Sequence, residues 1–226
     1  MEFWRDPNLV VLATTLEVAF GAVLLLAPFA LAIGWLLARR EFFGKSVVET
    51  LVALPLVLPP TAIGYALLLL FARDGWLGER ALGFDPGILF TRRGAMLAAA
   101  LVALPLAART ARAAFESVDP RLETMGRSLG LSRLRTFATI TLPLARPGLA
   151  AALALAFARA LGEFGATVIV AGNIPGKTQT LALAIFEGIQ LDDRRRTLGL
   201  VAMTVVLAFA LLWLVERLLR RARRVP

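Results

Sequence analysis

Apolar residues run through this chain in long unbroken stretches, not in the alternation of a strand or the narrow stripe of a surface helix. Val18 to Ala38 carries no charged side chain over 21 residues, Thr50 to Ala72 none over 23, and Thr197 to Val215 none over 19. Crossing a hydrocarbon core about 30 Å thick takes roughly 20 apolar residues of helix. These runs therefore predict membrane spans, and an all-α integral membrane protein. Five helices follow, at about 9–38, 48–72, 94–111, 147–171 and 197–216. The third has only 15 uncharged residues, Gly94 to Ala108, and spans with its flanking arginines reaching to the interface. Arg159 and Glu163 interrupt the fourth.

Composition removes several kinds of chemistry. The 226 residues are 58% hydrophobic, with a mean hydropathy of +0.75. With no Cys there is no disulfide framework, thiolate metal site or catalytic thiol, and with no His no haem ligand, imidazole zinc site or Ser-His-Asp triad. No catalytic residue and no metal ligand is expected. The net charge of +9 reads as nucleic-acid affinity only if it forms a patch, and here it sorts by segment. Segments 1–8, 73–93 and 173–196 sum to +1, whereas 39–49, 109–146 and 216–226 sum to +9. Basic residues stay on the cytoplasmic side, so the amino terminus is expected outside and the carboxyl terminus inside, with no nucleic-acid partner. MEFWRDPN lacks a basic n-region and precedes an apolar stretch too long for a cleaved signal. The whole of 1–226 reads as one transmembrane domain with no regulatory domain.

The long connection from Arg109 to Arg146 carries structure of its own. Asp119-Pro120 is a helix start, an acceptor for the first free amides followed by a residue that has none. Leu122, Met125 and Leu129 then recur at helical spacing, Gly130 ends the helix, and Ser132 caps a second carrying Leu134, Phe137 and Ala138 to Pro143. The expectation is a helix–turn–helix over about 116–143. Its apolar face docks either on the protein's own spans or the lipid surface, or in a groove of a cytoplasmic partner.

Glu123 to Pro143, ETMGRSLGLSRLRTFATITLP, resembles the cytoplasmic loop of permease subunits in ATP-binding-cassette importers, whose pattern is Glu-Ala-Ala, three residues, Gly, nine residues, Ile-x-Leu-Pro. Gly130, Ile140, Leu142 and Pro143 match, nine-residue gap included. Thr124 and Met125 stand where the family has two alanines, and Glu123 lies one residue further from the Gly. GEFGATVIVAGNIPGKTQTL (Gly162 to Leu181), ALPLVLPPTAIGYALLL in the second span and FFGKS before it resemble molybdate permeases of the type I importer, or MetI-like, fold. The resemblance covers essentially the whole chain. It implies a coupling loop contacting an ATPase through Glu123, Gly130, Leu131, Arg133, Leu134, Ile140, Leu142 and Pro143. It also implies a homodimer, two cytoplasmic ATPase subunits that bring ATP and Mg, an external oxyanion-binding protein, and the inner membrane as location. No cofactor is expected in the chain itself.

Several other residues carry more than one reading. GNIPGKT, from Gly172, has three residues between its glycines where a phosphate-binding loop has four, and no strand precedes it. Arg159 and Glu163 share a helix face, either as a buried pair that satisfies itself or as charges lining a pathway. Gly162, Gly165, Ala166, Ala150, Ala154 and Ala158 form small-residue spacings suited to close packing, within one chain or between two. Pro55, Pro59 and Pro60 predict a kink. Asn173, Lys177, Thr178 and Gln179 face a delivery protein or re-enter the pore mouth, and Glu17 lies near the outer end of the first span. Pathway or gate candidates are thus Pro59, Pro60, Arg159, Gly162, Glu163, Phe164, Gly165, Thr167 and Asn173. The expected function is import of a tetrahedral oxyanion, molybdate. Alternatives are tungstate, sulfate or thiosulfate on the same fold, a secondary transporter, which calls for inverted repeats and ion-coupling carboxylates, or a structural subunit.

Overall fold

Residues 6–222 are described by the computed structural model, and every regular element among them is helical. The first helix, α1 (Pro7–Arg39), starts as capping chemistry dictates: Asp6 accepts from the Asn8 amide and Pro7 needs no acceptor. Its 33 residues run past the charge-free stretch at both ends, and Pro28 does not stop it.

The second predicted span is two helices, α2 (Lys45–Val57) and α3 (Pro60–Phe71), bent 107° apart. The expected kink is thus a full break, and the cause is the proline pair. Each proline pushes its predecessor out of helical space. Leu58, before Pro59, takes ψ 139°, and Pro59, before Pro60, takes ψ 134°. A short turn, α4 (Glu79–Leu82), follows in the connection.

α5 (Arg92–Glu116) is the centre of the bundle, packed against α1, α2 and α3 and against the later spans. It buries Ala95, Ala98, Ala99, Ala103, Ala107 and Ala111 completely. Small side chains let neighbouring axes come close, which is where packing energy comes from in lipid. α5 extends five residues beyond its predicted end at 111 and shortens the connection that follows.

α6 (Pro120–Ser128) and α7 (Arg133–Thr136) occupy that connection. The second short helix does not end at Pro143. It passes through a five-residue π turn, Phe137–Thr141, straight into α8 (Leu142–Leu161), a continuous helix from Arg133 to Leu161. A proline ring collides with the carbonyl four residues back in a regular helix. The wider turn directly before Pro143, closed by Leu142 N–H to Phe137 O, gives it room.

The fourth predicted span, 147–171, breaks after Leu161 and resumes as α9 (Gly165–Ala171). α10 (Leu181–Gln190) lies where a loop was expected. At 1.5 Å per residue it is about 15 Å long, half a bilayer. α11 (Arg194–Ala222) closes the chain and contains the predicted 197–216. Among the described residues, four helices are long and apolar enough to cross a membrane, five with α2–α3 taken as one broken span.

Candidate functional site

Two regions draw together most of the residues singled out. One is the segment from 117 to 141, at the basic end of the bundle, where α1 and α5 finish and α8 begins. Its local shape is set by its own caps. Asp119 accepts from the Arg121 amide at 2.9 Å, and the Ser132 hydroxyl accepts from the Arg135 amide at 3.3 Å. Between them Gly130 takes φ +89°, with Leu131 N–H donating to Gly126 O and Gly130 N–H to Arg127 O. This paired closure satisfies the last carbonyls of α6 and turns the chain sharply toward α7.

The predicted apolar stripe points away from the bundle: Met125, Leu129 and Leu134 are 63, 84 and 78% exposed. Met125, Leu129 and Leu134 thus do not dock on the chain's own spans, whereas Phe137, predicted on the same face, does. The opposite face is what holds α6 down. A Cβ on Gly126 would come within 2.6 Å of Ile140 Cδ1, so the π turn lies directly against the helix backbone. Phe137 sits beneath, edge-on to Trp35 of α1 and against Phe115 of α5. Leu131 packs over Gly126, whereas Leu142 is 39% exposed and Pro143 also lies open on the outer side of the long helix.

Glu123 faces inward. It pairs with Arg39 of α1 at 2.9 Å and accepts from the Thr141 hydroxyl at 2.8 Å. Arg39 also donates to Val118 O, so one guanidinium ties the end of α1 to the α5–α6 connection and to α6. Arg112 does the equivalent for α2, joining Glu49 and Glu116 at 2.7 and 2.6 Å. Arg39, Gly126 and Thr141 are not among the sequence candidates. In the sequence Arg39 reads only as a topology charge, and 84 positions separate it from Glu123.

The second region lies where the two broken spans meet. Gly165 sets its Cα where an added Cβ would be 3.0 Å from Pro60 Cβ, and a Cβ on Gly64 would be 2.8 Å from Ala166 O. The proline elbow between α2 and α3 therefore abuts the break between α8 and α9. Irregular backbone at membrane depth survives only where it is buried in protein or lines a watered path. Pro59 and Gly162 are exposed at this junction, Pro60 and Phe164 half-buried. Phe164 stacks on Phe186 of α10 at 4.9 Å.

Arg159 and Glu163 do pair, at 2.9 Å, but across the break instead of along one helix. Glu163 is 3% exposed, and its other oxygen accepts the Ala166 amide at 2.8 Å, starting α9. Thr167 is buried and donates back to Glu163 O. Both side chains are thus committed internally, while Arg159 keeps a third of its side chain open. Of the small residues singled out, Ala166 is buried, Ala154, Ala158 and Gly165 are half-buried, and Ala150 and Gly162 are exposed; the row that packs within the chain is instead Ala152, Ala156 and Ala160.

At the end opposite the basic one, GNIPGKT forms a tight turn. The amides of Lys177, Thr178 and Gln179 all converge on Ile174 O, and the Thr178 hydroxyl accepts from Ile174 N–H. The Ile174, Lys177 and Thr178 amides are spent on the turn itself, and a helix, not a strand, precedes it. Arg92 clamps the turn through Lys177 O and Gly176 O and pairs with Glu17, which is half exposed at this end as expected. Gln179 bonds Glu187 at 2.7 Å, and Asn173 has a buried Oδ1 without a partner.

The family described as binding-protein-dependent transport system inner membrane component matches residues 30–224. The molybdenum transport system permease protein ModB of Escherichia coli K12 is 43% identical over 220 residues, 96% of each chain. Its namesake in Haemophilus influenzae is 42% identical over 212 residues, 93% of each chain. The sulfate transport system permease protein CysT of Salmonella typhimurium is 34% identical over 210 residues, 93% of this chain and 76% of that one. Among solved structures, a methionine transporter described as MetNI, in an inward-facing conformation, aligns over 92% of this chain and 93% of its own (TM-score 0.70, 17% identity). A bacterial alginate transporter in complex with its substrate-bound periplasmic protein covers 98% of this chain and 82% of its own (TM-score 0.79, 16% identity).

Proposed function

This chain belongs to the family of binding-protein-dependent transport system inner membrane components, and on that basis we propose that it forms the pore of an ATP-driven importer for molybdate. It is a multi-pass inner-membrane permease subunit with the MetI-like fold. The observation that carries the energetic half of the proposal is the rigidly capped 119–141 segment with Met125, Leu129 and Leu134 projecting into solvent. Apolar side chains presented this way at the end of a bundle fit a groove in a partner. That partner is an ATPase subunit on the cytoplasmic side, with the amino terminus of the chain external, as the distribution of Lys and Arg supports. Two copies of the chain enclose the pathway, their broken spans facing one another across it.

Molybdate is favoured over sulfate by the higher identity to molybdenum permeases, 42–43% against 34%. The chain need not hold the oxyanion tightly, because a strong site at the pore slows release. An external binding protein captures it. Closure of the ATPase pair then draws the two 119–141 segments together, and α8, continuous with α7, carries that motion to the junction of the broken spans. Such coupling works only if the segment binds the two ATPase states with different free energies.

Uptake of labelled molybdate in cells lacking and regaining the gene tests the reading. Restored uptake blocked by tungstate and indifferent to excess sulfate is the expected result. A well-inserted protein that restores nothing, with its ATPase and binding protein present, overturns the molybdate assignment. Gly130 gives a finer test. No atom lies within 4 Å of an added Cβ there, so only the left-handed backbone resists a side chain. Gly130→Val meets a strain of about 1–2 kcal/mol, and uptake per inserted molecule is expected to fall about tenfold. Gly130→Asn, which tolerates that conformation, retains it.

A further inference from the structure

A cavity of about 390 Å³ opens between the end of α1 and the 117–141 segment, lined by Trp35, Arg39, Arg40, Arg127, Arg133 and Thr136 among others. That volume is within the range of about 300–1,000 Å³ typical of ligand clefts. Four arginines, Arg39, Arg40, Arg127 and Arg133, and one glutamate, Glu123, line it. Arg39 neutralises Glu123, but Arg40 and Arg133 have no carboxylate partner among the described residues, so the cavity keeps an excess of positive charge.

Two of its lining residues also carry orphaned polar atoms, Arg39 Nε and Thr136 Oγ1, which lie behind the wall without a hydrogen-bond partner. The surplus of arginines over carboxylates along the cavity calls for an anion with several acceptor oxygens. From this arrangement we propose that the cavity is a binding site for a tetrahedral oxyanion, either free or as the phosphate of a lipid headgroup.

Its position suits both sources. Arg40 stacks over the Trp35 ring at 5.9 Å, an aromatic–basic pair of the kind that sits at the membrane–water boundary. Phe42 and Phe43 follow directly, and Phe43 is completely exposed. Basic pockets at that depth bind anionic headgroups. A ligand here shares Arg39 with Glu123, so its occupancy bears on the ion pair that pins α6 to α1. The site is independent of which substrate the pore carries.

The test uses the purified full-length chain, with two probes. In the first arm it is reconstituted in phosphatidylcholine with or without phosphatidylglycerol, and co-purifying lipid is counted by native mass spectrometry. In the second, inorganic phosphate and then molybdate are titrated in a zwitterionic detergent while the unfolding temperature is followed. Retained phosphatidylglycerol assigns the headgroup source, and stabilisation by the inorganic ions assigns the free one. In either arm Arg40→Gln with Arg133→Gln is expected to weaken binding about tenfold or more, whereas Arg146→Gln, an equal loss of charge on an exposed position outside the cavity, leaves it unchanged. Arg40→Gln alone, at an exposed lining position that lies over Trp35, weakens it several-fold even if the double variant folds poorly. Absence of binding in both arms, or binding equally sensitive to Arg146, overturns the proposal.

Discussion

Glu123→Ala is expected to reduce uptake about thirtyfold while the protein still inserts and reaches normal abundance. The carboxylate links α6 to α1 through Arg39 and to the π turn through Thr141. Losing one partner of a buried pair costs about 3–5 kcal/mol, but these side chains are 20 and 13% exposed, so about 2 kcal/mol is the fitting figure. That loss falls on the docking of one short helix, since the spans keep their own cores. Arg39→Ala gives a similar result. Combining the two leaves no stranded charge, and the double variant is expected to recover part of the loss, with a coupling energy of about 1–2 kcal/mol. Uptake per inserted molecule, measured across the four proteins of that cycle, decides it. Strictly additive losses mean the pair does not act as a unit.

Glu163→Ala is expected to act on folding itself. This side chain is 2% exposed, neutralises Arg159 and accepts from the Ala166 amide at the start of α9. Removing it deletes the start of a seven-residue helix, about 1 kcal/mol, and the ion pair across the break, about 2 kcal/mol because Arg159 is a third exposed. Detergent-purified protein is expected to unfold at markedly lower temperature and to give little uptake. Glu163→Gln still accepts from Ala166 and loses only the charge. Arg159 is a third exposed and finds water, so this variant is expected to fall midway. If Glu163→Gln matches the wild type in stability yet abolishes uptake, Glu163 serves the pathway more than the fold.

Features set within three or four residues are legible in the sequence. Asp119-Pro120, Gly130 and Ser132 start and stop helices through their own side chains or backbone freedom, and each stands where it is expected. The spans are legible because lipid requires long apolar runs. Other features depend on groups far apart in the chain. Nothing near Arg39 announces Glu123, and nothing near Gly64 announces Ala166. The break after Leu161 is hidden because the sequence stays apolar through it, apart from a charge pair that equally suits one continuous helix. α10 escapes a reading by span length: ten residues are too few to cross, although Leu181, Ala184 and Gly188 form a buried stripe. Of two adjacent prolines, each alone gives a kink, and both together reorient the chain by 107°.

The π turn at Phe137–Thr141 has a mechanical meaning beyond making room for Pro143. The buried positions along the long helix are Thr136, Thr141, Ala145, Leu149, Ala152, Ala156 and Ala160. Their steps are three or four residues except for one step of five, across the π turn. One surplus residue changes the rotational phase by about 100° and the length by about 1.5 Å. The helix thus stores a fraction of a revolution at the point where the 119–136 segment is attached. Moving that surplus residue one turn toward α8 rotates each position it passes while the rest of the span keeps its packing. Were α6 pulled, as the proposed coupling has it, this shift would take up the pull as local twist without lengthening or unwinding the rod.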